Sequence, residues 1–170
     1  QAVIGGITVL TDLNPWVVSF HFLSSMVIIG LCVVLLDHLL GSARPAAGDR
    51  TRALTWVVFA VAWAVLYLGT VVTGSGPHSG DLESKRTGLD PQVMSHVHAA
   101  AVYLLVALTV VALIVAVRSG NKPLQSAVIA LLALELAQGG VGFWQYFTDL
   151  PELLVATHML GAALTSAAIT

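Results

Sequence analysis

Residues Gln138 to Leu160 read QGGVGFWQYFTDLPELLVATHML, and residues Gln1 to Leu23 read QAVIGGITVLTDLNPWVVSFHFL. Set 137 positions apart without a gap, they match at Gln1/Gln138, Gly5/Gly142, Thr11/Thr148, Asp12/Asp149, Leu13/Leu150, Val18/Val155, His21/His158 and Leu23/Leu160. Each copy ends an apolar run, turns on a polar TDL corner and starts a second run. A histidine follows about two helical turns into that second run. The repetition predicts an all-α, duplicated bundle with one histidine-bearing site per half.

The surroundings of both stretches are as apolar as the stretches themselves. Of 170 residues, 57% are hydrophobic and 9% charged, with mean hydropathy +0.90. A soluble domain carries roughly 25% charged residues, so the chain reads as an integral membrane protein. It contains no basic cluster suited to nucleic acid. The single Cys32 lies within an apolar run and rules out an intrachain disulfide. Gln1 to Leu10 is apolar from the outset, with no initiator Met and no charged n-region. Ten helical residues cover about 15 Å, half of a ~30 Å hydrocarbon core. The expectation is therefore a fragment that starts inside a helix and lacks its N-terminal part.

Five further runs are long enough to span: Trp16 to Leu40, Ala53 to Thr73, Val93 to Val117, Leu124 to Phe147, and Glu152 to the last residue. Within lipid only a helix satisfies the backbone of an isolated span. Pro15, Pro91, Pro123 and Pro151 fall at or near the expected helix starts, where a missing N–H costs least. Arg44, Arg50 and Arg52 follow the first full run, and Arg118 and Lys122 follow the third. The positive-inside rule makes these loops cytoplasmic. The TDL corners and the Gly74–Gln92 loop then face outward, with Trp16, Trp144 and Tyr146 near the outer interface.

This topology brings three histidines to one level. His21 lies six residues after Pro15, His98 seven after Pro91 and His158 seven after Pro151. All three imidazoles are expected about 10 Å inside the outer face. Two neutral imidazoles from different helices make a six-coordinate b-type haem centre, and His98 and His158 are the expected pair. The plainer use of an isolated histidine is a hydrogen bond to a neighbouring helix, but ionisable groups within membranes are rare and usually functional. His96 competes with His98. Two residues apart they point about 200° from one another, and His98 is preferred because Val102 and Leu105 continue its stripe. His21, the mate of His158, is expected to bind in the other half; the mate of His98 would fall before Gln1. Glu135, near the middle of its run, reads as protonated or paired, since an ionised carboxylate there costs ~2.5–3.5 kcal/mol. Asp37 and His38 read as solvated, and His78 as a loop residue. Gly139, Gly140, Gly142, Gly161, Ala162 and Ala163 read as sites of close approach.

Taken together, ITVLTDLNPWVVSFH, LGTVVTGSGPHSGD, GLDPQVMSHVHA and AQGGVGFWQYFTDLPELLVATHMLGAAL resemble haem A synthase of the actinobacterial type. The resemblance covers essentially the whole chain, from the end of the family's third helix through its eighth. It implies two pseudo-symmetric four-helix halves. Residues 1–40 would then be the remainder of the N-terminal half that holds the substrate haem. Residues 41–52 would be a cytoplasmic linker, and 53–170 the C-terminal haem b half. It further implies haem b on His98 and His158, and substrate haem on His21, each an axial ligand to iron. The activity implied is oxidation of haem O to haem A, a ring methyl becoming a formyl group. The setting implied is a bacterial plasma membrane, with the histidine sites toward its outer face. The implied partners are haem O, haem A, the lipid bilayer, haem O synthase and terminal oxidase assembly factors. The family's acidic catalytic residue and other haem O histidines would lie on helices outside these residues, so no catalytic residue is assigned and these residues alone are expected to be inactive. Some relatives carry a cysteine pair on outer loops; this chain does not.

Two other function classes fit parts of the pattern. An electron-transferring cytochrome b needs complete histidine pairs and no acid beside a substrate methyl. An inverted-repeat transporter fits poorly, because both TDL corners face the same side and the histidines are not central.

Overall fold

The computed structural model describes residues 1–41, 48–76 and 84–170. Among these, six helices follow one another: α1 (Ala2–Leu10), α2 (Pro15–Leu39), α3 (Asp49–Ser75), α4 (Pro91–Arg118), α5 (Lys122–Phe147) and α6 (Glu152–Ala168), with no strand. Four of them, α2 to α5, are long and apolar enough to cross a membrane. At 17 residues α6 is shorter than the fifth run was expected to be. Arg44 and His78 lie outside the described residues.

The helix starts follow from residues visible in the sequence. Asn14, Asp90 and Asn121 each turn a side-chain oxygen onto a free N–H of the first turn, at Trp16 (3.0 Å), Val93 (2.9 Å) and Leu124 (3.1 Å). Proline follows within the first two helical positions each time, where its lack of an N–H is harmless. α3 begins four residues before its apolar run, because Asp49 sits in the first turn and pairs with Arg52 at 2.6 Å.

The two TDL corners share one backbone. Leu13 N–H returns to the Thr8 carbonyl at 2.9 Å, and Leu150 N–H to the Gln145 carbonyl at 3.1 Å. Both are the six-to-one bond of a Schellman ending. Thr11 and Thr148 close the last turn by donating their hydroxyls to Ile7 (2.8 Å) and Trp144 (2.6 Å). Such an ending needs left-handed residues. Asp12 and Leu13 have φ of 52°, Asp149 56° and Leu150 57°. Aspartate tolerates this region; leucine is strained in it.

α2, α3, α4, α5 and α6 form a ring in which each packs on the next and α6 packs back on α2, with α1 against α2. The ring joints are polar or small. Ser19 shares a 2.6 Å hydrogen bond with Thr70 between α2 and α3. Thr109 donates to Glu135 at 2.8 Å between α4 and α5, and Ser166 donates to the Met26 carbonyl at 3.0 Å between α6 and α2. Gly74 lets α3 lie on the start of α2, since a Cβ there would stand 2.9 Å from the Pro15 side chain.

Packing is uneven along the axis. The apolar core of Val58 and Ala62, Leu105 and Ala112, and Val128 and Leu131 joins α3, α4 and α5, with Ile169 against it. All of it lies toward or near the middle from the end that carries Arg52, Arg118 and Lys122. Toward the other end, α4 has no buried residue before Leu105 and α6 none before Gly161. At the histidine end burial falls instead to α2, α3 and α5, through Pro15, Ser19, Val71, Gly74, Ser75 and Gln145.

Replacing Leu150 with valine, whose branched Cβ suits φ above zero still less, should lower stability by about 1–2 kcal/mol. Asp149→Asn should stay within ~0.5 kcal/mol of the parent. Denaturant unfolding in detergent micelles, followed by helical circular dichroism, measures both.

Candidate functional site at the histidine end

A histidine ring comes closest to a neighbouring helix where that helix carries no side chain. Three times the structure supplies a glycine at that place. A Cβ on Gly5 of α1 would come within 3.3 Å of Cε1 of His21 on α2. One on Gly69 of α3 would lie 3.4 Å from Cε1 of His98 on α4, and one on Gly142 of α5 would lie 3.5 Å from Cε1 of His158 on α6. Gly5 and Gly142 are among the residues the two repeated stretches share. Gly69 went unremarked in the sequence; its signal was a glycine near the end of the Ala53 to Thr73 run.

The three rings have a common character. Each is half-buried, and Nδ1 of each is fully buried with no hydrogen-bond partner. Nε2 is in no case such a buried, unpartnered atom. For His98 the Cε1–Nδ1 edge is the one against Gly69, and the Val65 carbonyl, one turn earlier on α3, also faces the ring without reaching hydrogen-bond geometry for Nδ1. His98 and His158 stand close enough that a charge on one would act on the other, although their helices α4 and α6 are not packed neighbours in the ring. His98 comes seven residues after Pro91, the first residue of α4, and His158 six after Glu152, the first of α6. Both therefore lie about 10 Å along their helices from the same end.

The remaining polar residues sort by position. His96 is exposed and packs its ring on Tyr146 of α5, with centroids 6.3 Å apart at 44°. The two-residue offset thus turns His98 inward and His96 out. His21 stands with Gly5 of α1 behind it. His38 is exposed as expected, whereas Asp37 is half-buried. Cys32 is exposed. Among the expected close approaches, Gly142 and Gly161 bear them out, Gly161 accommodating the Gln138 side chain. Gly139 and Gly140 do not: no atom lies within 4 Å of where a Cβ would be. Glycine count in the run could not separate these, since only their angular position on α5 decides which face a neighbour.

No protein-family model, no curated protein and no solved structure matches the chain. Among the described residues no three or more His, Cys, Asp or Glu side chains converge as a site for a metal ion. The histidine end brings two imidazoles, His98 and His158, within electrostatic reach of each other.

Gly69→Val or Gly142→Val should force the facing ring aside and cost about 1–3 kcal/mol. Gly140→Ala, in open space, should stabilise α5 by up to about 1 kcal/mol. Unfolding in micelles, with each variant against the parent, tests the contrast.

Proposed function

We propose that the chain belongs to a haem A synthase, a membrane oxidoreductase that converts haem O to haem A, with a haem b held by His98 and His158. The observation that carries the reading is the pair itself. Two half-buried imidazoles from non-adjacent helices share a level at one end of the ring, each backed by a glycine. The fit to a haem is chemical as well as geometric. An axial histidine ligates through one nitrogen while the other faces protein. Here Nδ1 is the buried nitrogen, which leaves Nε2 for iron.

When bound, the haem would supply one-electron transfer. The protein's share would be to present two ligands from facing helices and to keep the site within apolar helices. His21, backed by Gly5 as His158 is by Gly142, is assigned to the substrate haem. The matching corners, glycines and histidines support descent of the two stretches from one duplicated bundle, and the substrate half would be completed by helices that supply the acid and the other ligands.

The geometry of His98 and His158 would equally serve a cytochrome b that only passes electrons, and haem analysis separates the two. Cells lacking the gene should lose haem A and accumulate haem O; unchanged haem A would leave the cytochrome. For the site itself, the purified full-length protein should give a reduced-minus-oxidised b-type difference spectrum. His98→Ala and His158→Ala should each abolish it, and His96→Ala should retain it. Loss in His96→Ala with retention in His98→Ala would overturn the assignment.

A further inference from the structure

Among the described residues Glu135 is the only buried carboxyl, 4% exposed and midway along α5. Its Oε1 accepts from the Thr109 hydroxyl at 2.8 Å, and Thr109 is itself fully buried. Its Oε2 is buried and makes no hydrogen bond. The hydroxyl that bonds it is neutral, so it does not cancel a charge on the carboxyl. Glu135 shares a face of α5 with Gln138, Gly142 and Gln145, at steps of three and four residues. That face meets α6 twice: Gln138 fills the space at Gly161, and Gly142 backs His158. Seven residues separate Glu135 from Gly142, so the carboxyl stands about 10 Å along the axis from the level of His158. Helix backbone and the uncharged Gln138 side chain lie along this face between them, where salt screens little.

We propose that Glu135 is the proton acceptor linked to oxidation and reduction at the centre held by His98 and His158. The inference rests on the haem reading above. When a one-electron reductant delivers an electron to that centre, one unit of positive charge disappears there. The Glu135 carboxylate then takes up one proton from water, forming one O–H bond, and the net charge of the interior is unchanged. Reoxidation returns the electron to the oxidant and the proton to water. Glu135 is a positioning residue in this scheme, since it touches no reacting atom.

Other groups near α5 do not match this placement. On α4, His96, Tyr103 and Arg118 are exposed, and on α6 so is Glu152; His98 and His158 are the proposed ligands. On α5 itself Lys122 and Tyr146 are exposed. The propionates of the macrocycle are the remaining rival.

The test is a spectroelectrochemical titration of the full-length protein in micelles between pH 5 and 10. In the parent the midpoint potential should fall as pH rises through a limited window and level off on both sides. The change in the reduction equilibrium across the window should be roughly tenfold, as expected for charges ~10 Å apart at an effective dielectric near 20. Tenfold corresponds to about 59 mV for one electron. Glu135→Gln should keep the b-type spectrum and flatten the curve. Thr109→Val keeps the carboxyl, removes its donor and should displace the window along the pH axis; it carries the test if Glu135→Gln does not fold. A curve already flat in the parent, a slope retained by Glu135→Gln, or a window unmoved in Thr109→Val would each overturn the proposal while leaving the haem reading standing. Absence of any b-type spectrum in the parent would overturn both.

Discussion

Close seating of an imidazole beside a glycine of the next helix recurs three times and organises the histidine end of the molecule. Gly5, Gly69 and Gly142 each give up a side chain so that a ring from the next helix lies against backbone. Glycine within a helix costs roughly 1 kcal/mol relative to alanine, so three such places on three helices need a compensating use. The use is orientation. A ring pressed edge-on against a neighbour has one nitrogen buried and cannot turn freely, and its other nitrogen is held in a fixed direction.

The helices are not packed alike along their length. Near the arginines, Ala62, Ala112, Val128 and their neighbours interdigitate, and between α4 and α5 the Thr109–Glu135 bond ties the middle. On α4 nothing is buried between Leu105 and the helix start. In lipid, helices gain little from simply hiding apolar surface from one another. A helix start left without buried residues is therefore less costly here than in a soluble bundle, and hydroxyl bonds such as Ser19–Thr70 keep the helices in register at that end.

Much of this could be read from the chain beforehand, and the reason lies in local chemistry. Asn-Pro and Asp-Pro before Trp16 and Gln92 mark helix starts because cap and proline act within one turn. The repeated TDL announced two alike corners, although not that Leu13 and Leu150 would take left-handed backbone to complete them. Helical angle allowed only one of His96 and His98 to turn inward, and the stripe through Val102 and Leu105 favoured His98. What the sequence could not convey was the partner across each joint. Gly69 opposite His98, Gln138 against Gly161, and the open space beside Gly139 and Gly140 depend on how α3, α5 and α6 are rotated about their axes. A single helix's pattern leaves that rotation undetermined when nearly every face is apolar. The early start of α3 at Asp49 was masked in the same way, by reading hydropathy where an ion pair extended the helix.

The contact between α2 and α6 joins residues 140 positions apart, through the Ser166 hydroxyl and the Met26 carbonyl. All other joints in the ring link helices that are consecutive in the chain. During synthesis, then, α2 through α5 can associate in turn as each leaves the ribosome, yet the circle stays unclosed until α6 arrives. That helix also carries His158. Closure of the scaffold and the arrival of His158 beside the level of His98 are therefore one event, and a product stalled before α6 would have neither.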